Sequence, residues 1–184
     1  IGWKSRMMDD QLQQHYAKLL ADFVAHPAVG LMLTAIDDQW LMVRSKLGHA
    51  KLRANSAGVD YLVLSKDPFG YESLPQHMTC EQAIALTINT KYPDALVQVA
   101  QVFKSRRSGD VILSAEVGYD LRLGFESPEH KSGHGALHAD HMLIPLFFNT
   151  DIAAQYARSV DVFPTVLKLL GKDIPANIDG QSLC

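Results

Sequence analysis

Between residues 9 and 26 the apolar positions Leu12, Tyr16, Leu19, Leu20, Phe23 and Val24 recur at three- and four-residue intervals, the period of one helix face. Aspartates open the stretch and Pro27 stands just past it, as helix start and stop signals do. The pattern then changes. Residues 28–36, AVGLMLTAI, are a short apolar run, and 39–45, QWLMVRS, follow across the polar pair Asp37 and Asp38. Two such runs around a polar turn predict a β-hairpin. GVDYLVLS at 58–65 predicts another strand, and KDPFGYESLP at 66–75 is a loop dense in turn residues.

Helical period returns after Thr79, which stands three residues before Gln82 in a capping-box pattern. Ile84, Ala85 and Ile88 keep that period; Pro93 stops the helix and starts the next, PDALVQVAQVFKS. GDVILSAEVGYDLR at 109–122 predicts a strand opened by a Gly-Asp turn. After a histidine-rich stretch, the apolar run at 142–148 predicts a buried strand of the main sheet, with a histidine loop at one of its ends. A last helix within 159–171 should begin at Pro164 or one residue before it and end at Gly171. Strands and helices alternate without repeat or linker. The pattern predicts a single α/β domain over 1–184, with a mixed sheet flanked by helices.

Composition narrows the function. A formal charge of −3 argues against a nucleic-acid partner, which selects for a clustered basic face. The longest basic stretch, KSRRSGD at 104–110, is too short for one. No apolar run approaches the roughly 18 residues of a membrane-spanning helix. The opening IGWKSRMMDD has no signal-peptide core and no initiating Met, which leaves open whether the chain is a fragment or a natural short protein. Two cysteines, Cys80 and Cys184, make no disulfide framework and no thiolate zinc motif. They leave the compartment open.

SPEHKSGHGALHADHM at 127–142 holds His130, His134, His138 and His141. Their spacing would place all four on one helix face. Pro128, Gly133 and Gly135 resist a helix there, since two interior glycines cost about 1–2 kcal/mol. Gly-His-Gly predicts a loop that bends sharply and aims one imidazole at a site. One or two of the histidines are expected as metal ligands and the others as bystanders. Taken alone, the stretch points with equal force to four solvated histidines. Asp120 and Arg122 in GYDLR could orient a phosphate, but read first as a local salt bridge.

The flanks add to this picture. GDVILSAEVGYDLR, SGHGALHADHMLIPLFF and RSVDVFPTVLKLLGKDIPANIDGQSL, in this order, resemble the C-terminal part of the alkaline phosphatase superfamily. The nearest branch is the type I phosphodiesterases and nucleotide pyrophosphatases. The resemblance covers roughly 55–183 and is clearest over 109–183, where a His-Gly loop, a strand with M-x-x-P, a VD-x-x-PT helix and a closing DG-x-SL follow one another. It implies an alkaline phosphatase-like fold, a small phosphoester substrate that could be nucleotide-like, two zinc ions in the complete protein, and His134 as the ligand of one ion. With a glycine on each side of His134, it also implies that His134 is the metal ligand of this stretch and that His138 and His141 bind no metal. The family's nucleophilic Thr or Ser, its Asp-x-x-x-His pair and its Asp-His-Gly motif have no counterpart here, because ADH at 139–141 is followed by Met. The resemblance therefore implies a portion of a hydrolase without its nucleophile. By itself that portion should be inactive, with open strand edges through which it could associate.

Three rivals stand beside this reading. A sulfatase would need C/S-x-P-x-R, which MTCEQAIA around Cys80 does not supply. A non-catalytic α/β module would carry incidental or structural metal-binding histidines. A mononuclear zinc enzyme would use His130, His134 and His138. Glu126, Glu129, His138 and Asp140 are near enough in sequence to orient His134 through its second ring nitrogen.

Overall fold

The structure, a computed structural model, describes residues 5–122 and 133–184. It falls into two compact units, one reaching to Leu143 and the other spanning Ile144–Cys184.

The first unit is a six-stranded sheet with helices, of the general α/β class that the pattern predicts. Helix α1, Asp9–Ala25, leads into strand β1, Val29–Ala35, and then into β2, Leu41–Arg44, β3, His49–Asn55, β4, Gly58–Val63, and the short β5, His77–Met78. Helices α2, Cys80–Thr87, and α3, Ala95–Val102, precede β6, Val111–Ala115. The spatial order is β5-β4-β3-β2-β1-β6. Every described pair is antiparallel, which corrects the expected mixed sheet. The connections explain it. Tight turns join β1 to β4, and short turns permit only antiparallel neighbours. The long α2–α3 connection returns the chain to the free side of β1, where β6 also runs antiparallel.

Burial accounts for which strands the pattern revealed. Leu31 and Leu33 of β1 join Val43, Leu52, Tyr61, Leu96 and Val99 in one core, under α2 and α3. Met32 faces the other way, onto Leu12 and Leu20 of α1. With both faces covered, all seven residues of β1 are buried, hence its unbroken apolar run. β3 carries Ala50 and Leu52 inward, while Lys51 and Arg53 are only half-buried. Thr34 and Arg44 on the α1 face bind Asp9: the Thr34 hydroxyl donates at 2.5 Å and the Arg44 guanidinium at 2.6 and 2.7 Å. Thr79 caps α2 as expected, its Oγ1 accepting from Gln82 N at 3.2 Å. Among the described residues no helix is long and apolar enough to cross a membrane.

The second unit holds a 3₁₀ turn, Ser159–Asp161, continued by the helix Val162–Leu169. Pro164 lies in its first turn, where a missing N–H costs nothing, and Gly171 follows its end at φ 64°. Asp161 Oδ2 accepts from Arg158 N at 2.7 Å, and its Oδ1 accepts from Gln181 N at 3.0 Å. Thr165 Oγ1 donates to Asp161 O at 2.6 Å and accepts from Leu183 N at 3.0 Å. A Cβ on Gly180 would stand 2.0 Å from Val160 O. The VD-x-x-PT and DG-x-SL patterns are thus two halves of one fastening.

The buried strand expected over 142–148 is not formed. Met142 closes a one-turn helix, α4, Ala139–Met142, and 143–148 have no regular structure. Leu143, Ile144, Leu146 and Phe147 are exposed, Phe147 at 88%. An apolar run favours burial, but a strand also needs a neighbour for its N–H and C=O groups. No described strand pairs with these residues.

Candidate functional site

The described histidines of the 127–142 stretch line one cleft of about 560 Å³ in the first unit, together with residues 113–122. Its floor comes from β6, which ends at Ala115. Glu116 follows, and its N–H donates to Ala28 O at 2.9 Å. The chain then turns through Gly118, at φ 85°, toward Asp120 and Arg122. Arg122 Nε lies 2.9 Å from Asp120 Oδ2, so this pair forms the local ion pair that its spacing predicted.

The opposite wall is the histidine loop. Gly135 has φ 93°, a conformation that favours glycine, and His134 beside it is exposed. Three backbone amides fasten the residues that follow. Ala136 N donates to His141 Nδ1 at 3.2 Å, Leu137 N to Ser114 Oγ at 3.2 Å, and Ala139 N to Lys91 O at 2.8 Å. Bonds from His141 N and Met142 N to His138 O, at 3.0 and 3.1 Å, complete the turn. His141 is therefore the loop's own clamp. Its ring lies against that of His138, with centroids 4.2 Å apart.

His138 is only 5% exposed. Its Nδ1 is buried and has no hydrogen-bond partner among the described residues. The Asp140 carboxylate lies 3.9 Å away, beyond hydrogen-bond range. Lys91 Nζ reaches Glu116 Oε1 at 2.6 Å. Burial alone would raise the Glu116 carboxyl. The hydrogen bonds from Lys91 and Val117 N, and then the charges of Lys91 and His138, outweigh it and hold the group below its ordinary range. Burial would likewise lower Lys91, but its bond to Glu116 and its contacts with Tyr92 raise it instead.

The structure thus brings His134, His138 and His141 to one cleft, with Glu116, Asp120 and Asp140 beside them. His130, Glu126 and Glu129 lie outside the described residues. Among the described residues no group of three or more His, Cys, Asp or Glu side chains is placed to hold a metal ion. Neither Cys80 nor Cys184 is in a disulfide. The sequence did not single out Glu116, Ser114 or Lys91. Lys91 lies 25 residues from the carboxylate it binds, and no local pattern signals a pairing that distant. A larger cleft, of about 750 Å³, includes Arg6, Trp40, Arg53 and Phe103. Two of its arginines serve the fold: Arg6 donates to Ser105 O at 2.7 Å, and Arg53 to Asp60 Oδ2 at 2.5 Å.

Comparisons with protein-family models, with curated proteins and with solved structures found no match to this chain.

Proposed function

We propose that this chain is part of a zinc-dependent phosphoric-ester hydrolase of the phosphodiesterase and nucleotide pyrophosphatase type, to which it contributes His134 as a metal ligand. The observation that carries the reading is the anchored loop: three backbone amides fix residues 136–139, while the imidazole of His134 stays exposed at a cleft. Imidazole is a fitting zinc donor, but a catalytic zinc takes three protein ligands. His134 would supply one of them, and the other ligands and the nucleophile would come from a further portion of the polypeptide.

Zinc bound there would supply Lewis-acid stabilisation of phosphoryl oxygens and an activated nucleophile. This chain's part is to orient. Gly135 allows the sharp bend, His141 holds the Ala136 amide, and Ser114 ties the loop to the end of β6. The exposed Asp120 carboxylate beside Arg122 limits how far that guanidinium could serve a phosphate. In the complete protein, zinc content and hydrolysis of bis-p-nitrophenyl phosphate should fall sharply in His134→Ala and much less in His141→Ala. The reverse order would refute the assignment. Residues 1–184 with excess zinc should hydrolyse neither that ester nor p-nitrophenyl phosphate. Chelator-sensitive turnover by this chain would favour a self-contained mononuclear site.

A second reading has its own observation. His138 is buried and His141 serves the loop backbone, as they would in a non-catalytic α/β module whose histidines have structural roles. Unchanged activity of the complete protein in His134→Ala would favour it.

A further inference from the structure

We infer that His138 Nδ1 and the Asp140 carboxylate form a cation position of their own, suited to zinc or another divalent transition metal and independent of His134. Buried polar atoms in folded proteins nearly always have a partner, and an orphan calls for an ion or a water. Among the described residues His138 Nδ1 is the buried side-chain atom that lacks one. Asp140 Oδ2, at 3.9 Å, is too distant to accept a hydrogen bond from it.

That separation suits a bridging ion. Zinc binds imidazole nitrogen at about 2.0–2.1 Å and carboxylate oxygen at about 2.0–2.2 Å. An ion between atoms 3.9 Å apart would hold them at an angle of about 140°, and a tetrahedral angle needs about 3.4 Å. Closing that gap falls to Asp140, whose side chain is 79% exposed and can turn, while His138 is held with its side chain 7% exposed. Imidazole with carboxylate is a donor pair that zinc accepts.

The neighbours are compatible. The His141 ring supports that of His138, and its own Nδ1 is committed to Ala136 N. The Glu116 carboxylate on the same cleft is engaged by Lys91 Nζ at 2.6 Å, which leaves Asp140 as the carboxylate beside His138. With two protein donors, the remaining positions would be filled by water or by an oxygen ligand entering the cleft.

The test titrates Zn²⁺, and Co²⁺ as a spectroscopic probe, into the 184-residue chain by calorimetry and visible absorption. About one ion per chain is expected. Asp140→Asn, at an exposed position that leaves the fold intact, should weaken binding at least tenfold. His138→Phe, checked for folding by circular dichroism, should abolish it, and His134→Ala should bind within about twofold of wild type. Equal affinity of wild type and D140N, or no uptake by wild type at millimolar zinc, would overturn the inference. So would binding lost in H134A alone, an outcome that leaves the hydrolase reading intact. Conversely, zinc lost in D140N and H138F supports the cation position even if His134→Ala proves harmless to the complete protein, a result that would sink only the hydrolase reading.

Discussion

Replacing Thr165 by valine should open the end of the chain without touching the sheet. The hydroxyl is buried, donates to Asp161 O at 2.6 Å and accepts from Leu183 N at 3.0 Å. Valine fills nearly the same volume, so no cavity forms, but both bonds are lost. A hydrogen bond is worth about 0.5–1.5 kcal/mol net, and a buried donor left without a partner costs about 1–3 kcal/mol. The two bonds are not independent, since one hydroxyl makes both. Taking about 2 kcal/mol for the fastening, the Leu183 amide should exchange with solvent deuterium about 30-fold faster, at roughly tenfold per 1.4 kcal/mol. Thr165→Ser keeps the hydroxyl and should stay within a few-fold of wild type. Amides of β1 in the same sample serve as the reference, and their rates should not change. The assay is amide exchange of the whole chain followed by NMR. A wild-type rate at Leu183 in T165V, or a T165S rate as fast as that of T165V, would refute the fastening role of the hydroxyl.

Gly180→Ala should release the same fastening, because the new methyl would stand 2.0 Å from Val160 O; an unchanged Leu183 exchange rate would contradict this. His141→Phe keeps a ring against His138 but offers Ala136 N no acceptor. The Ala136 amide should then exchange faster, and His141→Asn, which restores an acceptor, should recover part of the protection; equal rates in wild type and H141F would remove His141 as the clamp. Asp60 is buried, and its carboxyl is held below its ordinary range by hydrogen bonds from His77 first and Arg53 second, against the effect of burial. Its folded pKa lies below the unfolded one. The stability it contributes is therefore complete above the unfolded carboxylate value of about 4 and is lost as pH falls through the folded value. Denaturant midpoints measured from pH 7 down to pH 2 should fall less steeply in Asp60→Asn than in wild type, and parallel acid limbs would show that Asp60 is not the group responsible.

Elements whose signals are local were legible in the amino-acid order alone. Helix α1, the capping box at Thr79 and Gln82, the hairpin around Asp37 and Asp38, and the stop at Gly171 all rest on residues within a few positions of one another. The bend at Gly135 is of the same kind, since a positive φ is set by the residue that must adopt it. Strand β3 was not read from the sequence. Ala50, Leu52 and Ala54 do alternate with polar residues, but alanines make a faint apolar stripe, and packing between β2 and β4 decides the strand. Other features took shape only through contacts distant in the chain. The run at 142–148 is apolar enough for a strand, yet strand pairing is a property of two segments, and no described strand meets it. Where β6 joins the sheet was likewise unreadable, because parallel or antiparallel addition depends on the path of a long connection. At the candidate site, spacing could nominate four histidines but could not rank them. Burial of His138, the amide bound by His141 and the Lys91–Glu116 pair arise from contacts across the fold, and those contacts exist only once the sheet has brought residues 91, 116 and 138 together.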